Sequence, residues 1–286
     1  MYTSVKLNNG YDIPQLGFGV FMIPDHDQCK KSVLEALQLG YRHIDTAQLY
    51  RNEKAVGEAV RESGIPREEI FITTKIWTND FGYQRTKAAI LRSLTALNTP
   101  YIDLLLLHQQ VGDFVGSWKA LEEAVKEGVV RSIGISNFSI ENVKKLLASA
   151  KIKPVVNQVE AHPYAQQKEL RAFLDKQGIR IEAWYPIGHG DQGLIKHPVF
   201  LELASKYHKT TVQVILRWHI QTGYIVFPKS TNPVHIKENL DIFDFELSPQ
   251  DMKKIEALDK NKKYFNYPPV FLRKFLFDLV GLSIKR

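Results

Sequence analysis

The side chains best suited to chemistry are polar residues that each follow a short apolar run. Asp45, Lys75 and His108 end three such runs, and Tyr50 lies just beyond Asp45. A tyrosine with a pKa of about 10 is a poor acid at neutral pH, but a nearby ammonium stabilises its phenolate and lowers that pKa. An aspartate would keep the lysine charged and fixed, and a histidine could hydrogen-bond a substrate oxygen. Together the four residues predict a proton donor aimed at a polarised carbonyl.

Other chemistries lack the residues they need. The sequence has no Gly-x-Ser-x-Gly nucleophile motif and no His-Glu-x-x-His pair, and its nine histidines are scattered, so we expect no metal site. The run from Gly17 to Phe21 has two glycines, but Met22 stands where a dinucleotide fingerprint needs the third. We therefore reject a Rossmann domain and expect these glycines to let a cofactor approach the backbone.

The polar residues follow strands that alternate with helices. Eight short apolar runs have the length and composition of strands: Leu16–Val20, Arg42–Thr46, Ile70–Lys75, Ile102–His108, Ser132–Ser136, Val155–Val159, Arg180–Trp184 and Ile225–Phe227. Stretches with helical spacing separate them, including Gln28–Leu39, Gln84–Leu97, Phe114–Lys126 and Ile140–Ala150. Eight uninterrupted β-α units favour an α/β fold, a single (β/α)8 TIM barrel, in which the strand-end residues would meet at one mouth.

Two terminal segments complete this organisation. Val5–Leu7 and Tyr11–Ile13 flank Asn8-Asn9-Gly10, which predicts an N-terminal β-hairpin that closes the bottom of the barrel. No linker divides the chain, so residues 1–286 are expected to form one domain, with 262–286 as a basic C-terminal tail. That tail mixes apolar and basic residues, and four alternatives remain open for it: packing on the barrel, a pocket lid, a dimer contact or a membrane-surface contact.

The formal net charge of +7 points to an anionic partner. Residues 262–286 carry six basic residues and one acid, so the body is nearly neutral and offers no large nucleic-acid face. No signal peptide and no apolar stretch of about 18 residues is visible, so we expect no stable membrane insertion. The lone cysteine, Cys29, fits a reducing compartment. We expect a cytoplasmic protein, and a monomer.

Three motifs in this sequence resemble signatures of the aldo-keto reductases. Asp45-Thr46-Ala47-Gln48-Leu49-Tyr50-Arg51-Asn52-Glu53 is similar to the family's Asp-Thr-Ala-x-x-Tyr-x-Asn-Glu motif. The segments 134–138 (Gly-Ile-Ser-Asn-Phe) and 228–231 (Pro-Lys-Ser-Thr) resemble its central and C-terminal motifs, and 155–163 is also typical. The resemblance covers residues 3 to about 260 and is greatest to the microbial 2,5-diketo-D-gluconate reductase and prostaglandin F synthase branch.

The resemblance implies an NAD(P)H-dependent carbonyl reductase in which Tyr50 is the general acid, Asp45 and Lys75 lower its pKa, and His108 orients the carbonyl. It further implies an NADPH site whose parts match particular positions: a carboxamide grip, a stacking aromatic, a loop over the pyrophosphate, a 2′-phosphate site and an adenine site. The residues implied to bind the cofactor are Val20, Phe21, Asp45, Ser136, Asn137, Gln158, Trp184, Tyr185, Pro186, Ile187, Gly188, Leu194, Phe227, Lys229, Ser230, Thr231, Asn232, His235, Glu238 and Asn239.

Three departures from the family pattern bear on specificity. Tyr185 replaces a small residue, so it either crowds the pyrophosphate loop or adds a hydroxyl to it. His235 replaces an arginine that would grip a phosphate with two charged hydrogen bonds, which predicts weaker NADPH discrimination and use of NADH as well. Gln109-Gln110 replaces Trp-Pro in the pocket wall. Candidate substrate contacts are Phe21, Leu49, Trp77, His108 and Phe114. The apolar rim that these residues form favours a neutral or moderately polar aldehyde or ketone.

Two other functions remain open at this stage. A cofactor-binding sensor or scaffold on the same barrel would lack significant turnover, and the loss of Tyr50 or Lys75 would favour it; both residues are present. A phosphate-handling barrel enzyme without redox chemistry would need a glycine-rich phosphate loop near the last two strands. The segment 229–231 matches such a loop only in part.

Overall fold

The computed structural model describes residues 3–265 and 267–284. Its strands form a two-stranded antiparallel hairpin and an eight-stranded parallel sheet. The hairpin strands are β1 (Ser4–Lys6) and β2 (Asp12–Pro14). The parallel strands are β3 (Phe18–Gly19), β4 (His43–Asp45), β5 (Phe71–Ile76), β6 (Ile102–Leu107), β7 (Val130–Ser136), β8 (Val156–Glu160), β9 (Arg180–Trp184) and β10 (Ile225–Val226).

The parallel sheet closes on itself. Its neighbours follow chain order from β3 to β10, and a parallel bridge between Leu16 and Val226 joins the two edges. The amide of Gly17 donates to the carbonyl of Val226 at 2.9 Å, and the amide of Val226 donates to Gln15 at 2.9 Å. These two bonds pair backbone groups across the seam, as closure requires. The predicted (β/α)8 barrel is confirmed.

Helices cover the outside and part of the open side of this barrel. They are α1 (His26–Leu39), α2 (Glu53–Glu62), α3 (Tyr83–Leu97), α4 (Phe114–Lys126), α5 (Ile140–Leu147), α6 (Lys168–Gln177), α7 (Gln192–Ile195), α8 (Pro198–Tyr207), α9 (Thr211–Thr222), α10 (Pro233–Leu240), α11 (Pro249–Glu256) and α12 (Val270–Ile284). Local sequence sets their ends: Asp25 accepts from the amide of Gln28 to begin α1, and Gly40 at φ +112° ends it. None of the helices within the described residues is both long and apolar enough to cross a bilayer.

The hairpin forms the floor of the barrel, as predicted. Asn8 donates to the carbonyl of Pro154 at 2.8 Å, and Asn9 donates to the hydroxyl of Ser132 at 2.9 Å. Those partners lie just before β8 and near the start of β7, so the hairpin covers the end of the barrel where strands begin. Its Leu7 and Ile13 join the lower interior cluster with Leu104 and its neighbours. The strands therefore end at the opposite, open side.

The glycines of the first strand serve packing. A Cβ at Gly17 would lie 2.7 Å from the ring of Phe227 and 3.0 Å from His43, and one at Gly19 would lie 3.3 Å from the backbone oxygen of Phe227. Both glycines therefore have a packing role that the sequence did not predict, and the approach of a cofactor to their backbone stays a prediction. They make room for Phe227, whose ring packs edge-on against His43 with centroids 4.8 Å apart.

The C-terminal tail packs on the barrel at the open side. Trp77, just after β5, donates its indole hydrogen to the carbonyl of Phe277 at 3.1 Å, and the two rings lie 5.5 Å apart. Asn79 donates to the carbonyl of Asp278 at 3.1 Å, and a Cβ at Gly281 would collide with Asn79. Helix α12 thus lies over the loop that follows β5. The tail therefore combines two of the alternatives left open by the sequence, because it packs on the barrel and also covers part of its mouth.

Candidate active site

The four predicted catalytic side chains meet at the mouth of the barrel. Lys75, fully buried at the end of β5, places its Nζ 2.6 Å from Asp45 Oδ1 and 2.8 Å from the carbonyl of Thr46. The same Nζ lies 3.4 Å from the hydroxyl of Tyr50. The ring of His108 lies 5.8 Å from that of Tyr50. A buried ammonium therefore stands between a carboxylate and a phenol, with an imidazole beside them.

The loop after β4 aims Tyr50 into this cluster. A short 3-10 turn at Gln48–Tyr50 carries the tyrosine, and Gln48 ties the turn to α3 by donating to the carbonyl of Ala89 at 3.2 Å. Asn52 accepts a hydrogen bond from the hydroxyl of Thr46 at 2.7 Å and donates one to the carbonyl of Val20 at 2.9 Å. The Asp-Thr-Ala-x-x-Tyr-x-Asn pattern is thus one hydrogen-bonded unit, because Asn52 joins the end of the loop to its start at Thr46 and to the segment after β3.

Burial decides the protonation of Tyr50 and His108. It raises the pKa of Tyr50 well above its ordinary value, and the Asp45 charge adds to this. The expectation that Asp45 and Lys75 lower this pKa is not met, because burial raises it and the Asp45 charge raises it further. Burial and the Lys75 charge lower the pKa of His108 well below its ordinary value. At neutral pH the site therefore presents a protonated phenol and a neutral imidazole.

A second buried carboxyl group, missed by sequence reasoning, lies beneath this cluster. The amide nitrogen of Gln158 donates both to Asp45 Oδ2 at 2.8 Å and to Glu182 Oε2 at 3.0 Å. Glu182 Oε1 is buried and has no hydrogen-bond partner among the described residues. Burial and the Asp45 charge raise the pKa of Glu182 to about 8. The available signal was a glutamate between Ile181 and Ala183, in the middle of a buried strand.

An amide-lined recess adjoins the cluster at the ends of β7, β8 and β9. The indole of Trp184 donates to Asn137 Oδ1 at 3.0 Å, and Asn137 donates to the hydroxyl of Ser136 at 3.0 Å and to the carbonyl of His108 at 3.1 Å. Asn137 and Tyr185 both have left-handed backbone, at φ +65° and +53°. Such strained geometry is typical of functional sites. Side-chain amides next to a half-buried indole suit the carboxamide and ring of a nicotinamide.

A basic, exposed region lies farther along the same side. Lys229 follows β10, and Asn232 begins α10 by accepting from the amide of Val234 at 2.9 Å. His235 in the first turn of α10 is exposed, and Asn239 is buried. A lysine next to a helix N-terminus suits a phosphate group. The residues present therefore fit the two ends of a nicotinamide dinucleotide.

The remaining predicted cofactor residues divide by location. One group lies in the loop after β9, and a second group lies in the segment from β10 to α10. Val20 and Phe21 follow β3. Those after β9 are Tyr185, Pro186, Ile187, Gly188 and Leu194, and those from β10 onward are Phe227, Lys229, Ser230, Thr231, Asn232, His235, Glu238 and Asn239. Val20 and Leu194 are fully buried, whereas Phe21 is exposed.

Aromatic side chains surround the quartet. Phe21 lies 4.9 Å from the ring of Tyr50, and Trp77 lies 5.0 Å from that of His108. Leu49 is half-buried beside Tyr50. Phe114 instead packs on Phe138, with ring centroids 5.2 Å apart, in the layer between helices and strands. In the structure Phe277 of the tail also packs on Trp77. The sequence did not predict this contact, because it left the position of the tail open.

Metal chemistry has no support in the part of the chain that the structure describes. Within residues 3–265 and 267–284, no group of three or more His, Cys, Asp or Glu side chains could hold an ion. The one cysteine, Cys29, is buried, and burial raises the pKa of its thiol to about 12. It is therefore an inert core residue.

Comparisons with known proteins agree with this geometry. The sequence profile of the aldo/keto reductase family matches residues 15–260. The chain is 47% identical over 261 residues to the glyoxal reductase of Bacillus subtilis, covering 91% of this chain and 94% of that one. It is 45% identical over 272 residues to the 9,11-endoperoxide prostaglandin H2 reductase of Trypanosoma cruzi, covering 94% and 96%. A solved aldo-keto reductase from Bombyx mori, in complex with NADP, has a TM-score of 0.88 at 33% identity and covers 93% and 95%.

Proposed function

The chain belongs to the aldo/keto reductase family, and from that premise we propose that it reduces a small aldehyde or ketone to the alcohol with NADPH as hydride source. The observation that carries this proposal is the position of Lys75 Nζ, 2.6 Å from Asp45 and 3.4 Å from the hydroxyl of Tyr50. A buried ammonium next to a phenol stabilises the phenolate that forms when the phenol donates its proton, as a general acid does. The high sequence identity to a glyoxal reductase supports a small carbonyl substrate.

The four catalytic side chains have distinct roles in this proposal. The hydroxyl of Tyr50 donates its proton to the carbonyl oxygen as that oxygen gains charge. Lys75 stabilises the phenolate that remains, and Asp45 together with the carbonyl of Thr46 holds Lys75 in place. The neutral imidazole of His108 donates one hydrogen bond to the same oxygen and orients it, without competing as an acid. A bound reduced nicotinamide supplies the hydride for the carbonyl carbon.

The raised pKa of Tyr50 is compatible with this role. A general acid must be protonated before the reaction, and burial keeps the phenol neutral. Lys75 acts after the proton transfer, because its positive charge attracts the phenolate more strongly than it attracts the neutral phenol. Tyr50 therefore retains its proton until an oxygen with growing negative charge lies within reach.

We also propose the cofactor contacts from the fit of the recess. Ser136, Asn137 and Gln158 would hold the carboxamide, Trp184 would stack on the nicotinamide ring, and Lys229 with the start of α10 would meet the 2′-phosphate. The exposed His235 lacks the two-pronged, permanently charged guanidinium of an arginine there, so NADH would also be used. Phe21, Leu49 and Trp77 would contact the substrate, whereas Phe114 packs on Phe138.

The remaining features of the proposal concern context. We propose one domain over residues 1–286, a monomer, a cytoplasmic location and membership of the 2,5-diketo-D-gluconate reductase and prostaglandin F synthase branch. A buried lone thiol at Cys29 supports a reducing compartment. Light scattering on the purified protein tests the monomer, and a dimer mass would contradict it.

The experiment on function compares the wild type with Tyr50→Phe in NADPH oxidation with methylglyoxal or a nitrobenzaldehyde. We expect kcat of the variant to fall by a factor of about 10² to 10⁴, because the proton donor is gone. Tyr11→Phe is the matched control, since that exposed ring lies in the hairpin at the opposite end of the barrel. Unchanged activity in Tyr50→Phe would remove Tyr50 from the mechanism. Absence of turnover with every carbonyl tested would favour the sensor or scaffold function instead.

A further inference from the structure

Two tyrosines from outside the loop after β9 hold that loop, residues 185–194, by their hydroxyl groups. Tyr164 donates to the carbonyl of Gly193 at 3.0 Å, and Tyr264 donates to Asp191 Oδ2. The other oxygen of Asp191 accepts from the amide of Gly193 at 3.1 Å and begins α7. Asp191 therefore organises the loop with one oxygen and receives the tail with the other.

The fit between Tyr264 and the loop is also steric. Gly188 has φ +59°, and a Cβ at that position would lie 2.6 Å from Cε2 of Tyr264 and 2.9 Å from Cδ2 of Leu194. The tyrosine ring therefore lies directly on the backbone of the loop, in space that a side chain at residue 188 would need. Both the hydroxyl and the ring face of Tyr264 are engaged.

A buried carboxylate fixes the position of Tyr264. Glu160, at the end of β8, accepts from the amide of Tyr264 at 2.5 Å and from the amide of Phe265 at 3.2 Å. The ring of Phe265 lies 6.0 Å from that of Trp184. Because Glu160 belongs to a barrel strand, the tail segment is anchored to the rigid part of the fold at the point where it crosses the loop.

The contact between Tyr264 and Asp191 also affects the charge that the loop presents to a cofactor. The hydrogen bond from Tyr264 lowers the pKa of Asp191, and the nearby Lys262 contributes to the same shift. An unpartnered carboxylate on a loop that covers a diphosphate would repel it, whereas one that accepts from a hydroxyl and lies near an ammonium repels it less. The tail thereby holds the loop and offsets the negative charge that the loop carries.

We propose that Tyr264 is a latch that keeps the loop at residues 185–194 closed over the cofactor diphosphate, so that cofactor release requires the tail to let go of Asp191. This inference rests on the proposed cofactor site. Tyr264 is a positioning residue, because it acts through the loop and touches no reacting atom. It links cofactor release to the segment that continues into α12.

The first test uses the apoprotein and needs no turnover. Hydrogen–deuterium exchange of the amides at residues 188–196 is compared between the wild type, Tyr264→Phe and Tyr207→Phe. The control is matched because Tyr207 also donates to an aspartate, Asp251, at 2.5 Å and lies away from the barrel mouth. We expect about tenfold faster exchange in Tyr264→Phe alone, since a hydrogen bond to a charged group is lost. Unchanged exchange would overturn the latch.

The second test measures the dissociation rate of NADP⁺ by tryptophan fluorescence in a stopped-flow instrument. We expect the rate to rise about tenfold in Tyr264→Phe and to stay unchanged in Tyr207→Phe. Asp191→Asn combined with Tyr264→Phe should be no faster than the faster single variant, because both remove the same contact. Faster exchange without faster NADP⁺ release would overturn the role of the latch in release. A wild type that binds no NADP⁺ would refute the proposed cofactor site, and the exchange data would still report on the Tyr264 contact.

Discussion

The indole of Trp77 donates a hydrogen bond to the main-chain oxygen of Phe277, 3.1 Å away, and the Phe277 ring packs beside it. The other edge of Trp77 faces His108, with ring centroids 5.0 Å apart. Trp77 therefore lies between the C-terminal helix and His108, the proposed carbonyl-orienting residue. Changes in α12 should reach the substrate pocket through Trp77.

The first prediction compares two phenylalanines of α12. Phe277 is 5% exposed and Phe275 is 61% exposed, so Phe277→Ala removes a buried contact and Phe275→Ala does not. We expect Phe277→Ala to raise the KM for a small aldehyde about tenfold, because the apolar wall behind Trp77 is lost. Tryptophan fluorescence should shift to longer wavelength in that variant only. Equal effects of the two substitutions would show that α12 is not part of the pocket wall.

The second prediction concerns the buried ion pair. Lys75→Met should lower kcat by a factor of about 10² to 10⁴, because the phenolate loses its cation. It should also lower the free energy of unfolding by about 3–5 kcal/mol, since Asp45 would be left buried without its partner 2.6 Å away. Urea unfolding measures this loss. Lys75→Met combined with Asp45→Asn should recover part of the stability and none of the activity, and a single variant within tenfold of wild-type kcat would contradict the role.

The third prediction is a pH dependence of stability. The pKa of Glu182 is raised from 4.5 to about 8 by burial, so between these values the folded state binds a proton that the unfolded state has lost. Its contribution to stability is therefore complete below about pH 4.5 and is lost as the pH rises through about 8. The slope approaches about 1.4 kcal/mol per pH unit within that window.

Glu182→Gln isolates this effect. The amide keeps a partner for Gln158 and cannot titrate, so the free energy of unfolding should fall less between pH 5 and 8 in the variant than in the wild type. Chemical unfolding at each pH measures the difference. Parallel curves for the two proteins would mean that Glu182 does not carry the proton.

The fourth prediction concerns cofactor choice. His235 is exposed in the first turn of α10, and an arginine there could grip a 2′-phosphate with two charged hydrogen bonds. We expect His235→Arg to raise the ratio of kcat/KM for NADPH over NADH by about tenfold or more. A wild-type preference for NADPH of about 10³ or more would contradict the proposed dual use.

The sequence predicted the barrel because its signals are local. Each strand is a short apolar run and each helix an amphipathic stretch, so the eight-fold alternation was visible without any contact. Predicted helix Phe114–Lys126 matches α4, whereas Ile140–Ala150 ends early, at Leu147. The meeting of Asp45, Tyr50, Lys75 and His108 followed from the parallel strand order, which brings strand ends to one rim.

The features that sequence reasoning missed depend on contacts between distant segments. The direction of the Tyr50 pKa shift depends on the burial of its ring. The local sequence does not predict that burial, because the residues that cover a barrel mouth come from distant segments. Gly17 and Gly19 serve Phe227, more than 200 residues away along the chain. Tyr264 reaches Asp191 from a tail segment that Glu160 and the carbonyl of Tyr164 hold in place. Such relations need the folded chain.

The hairpin floor has a practical consequence for attaching the protein to a surface. Asn8 and Asn9 bind the rim where strands begin, whereas α12 lies over the rim where they end. A tether joined ahead of β1 would therefore leave the barrel mouth directed away from the support. A tether joined behind α12 would load the helix that contacts Trp77. Immobilised protein should accordingly retain more of its turnover with the first attachment than with the second.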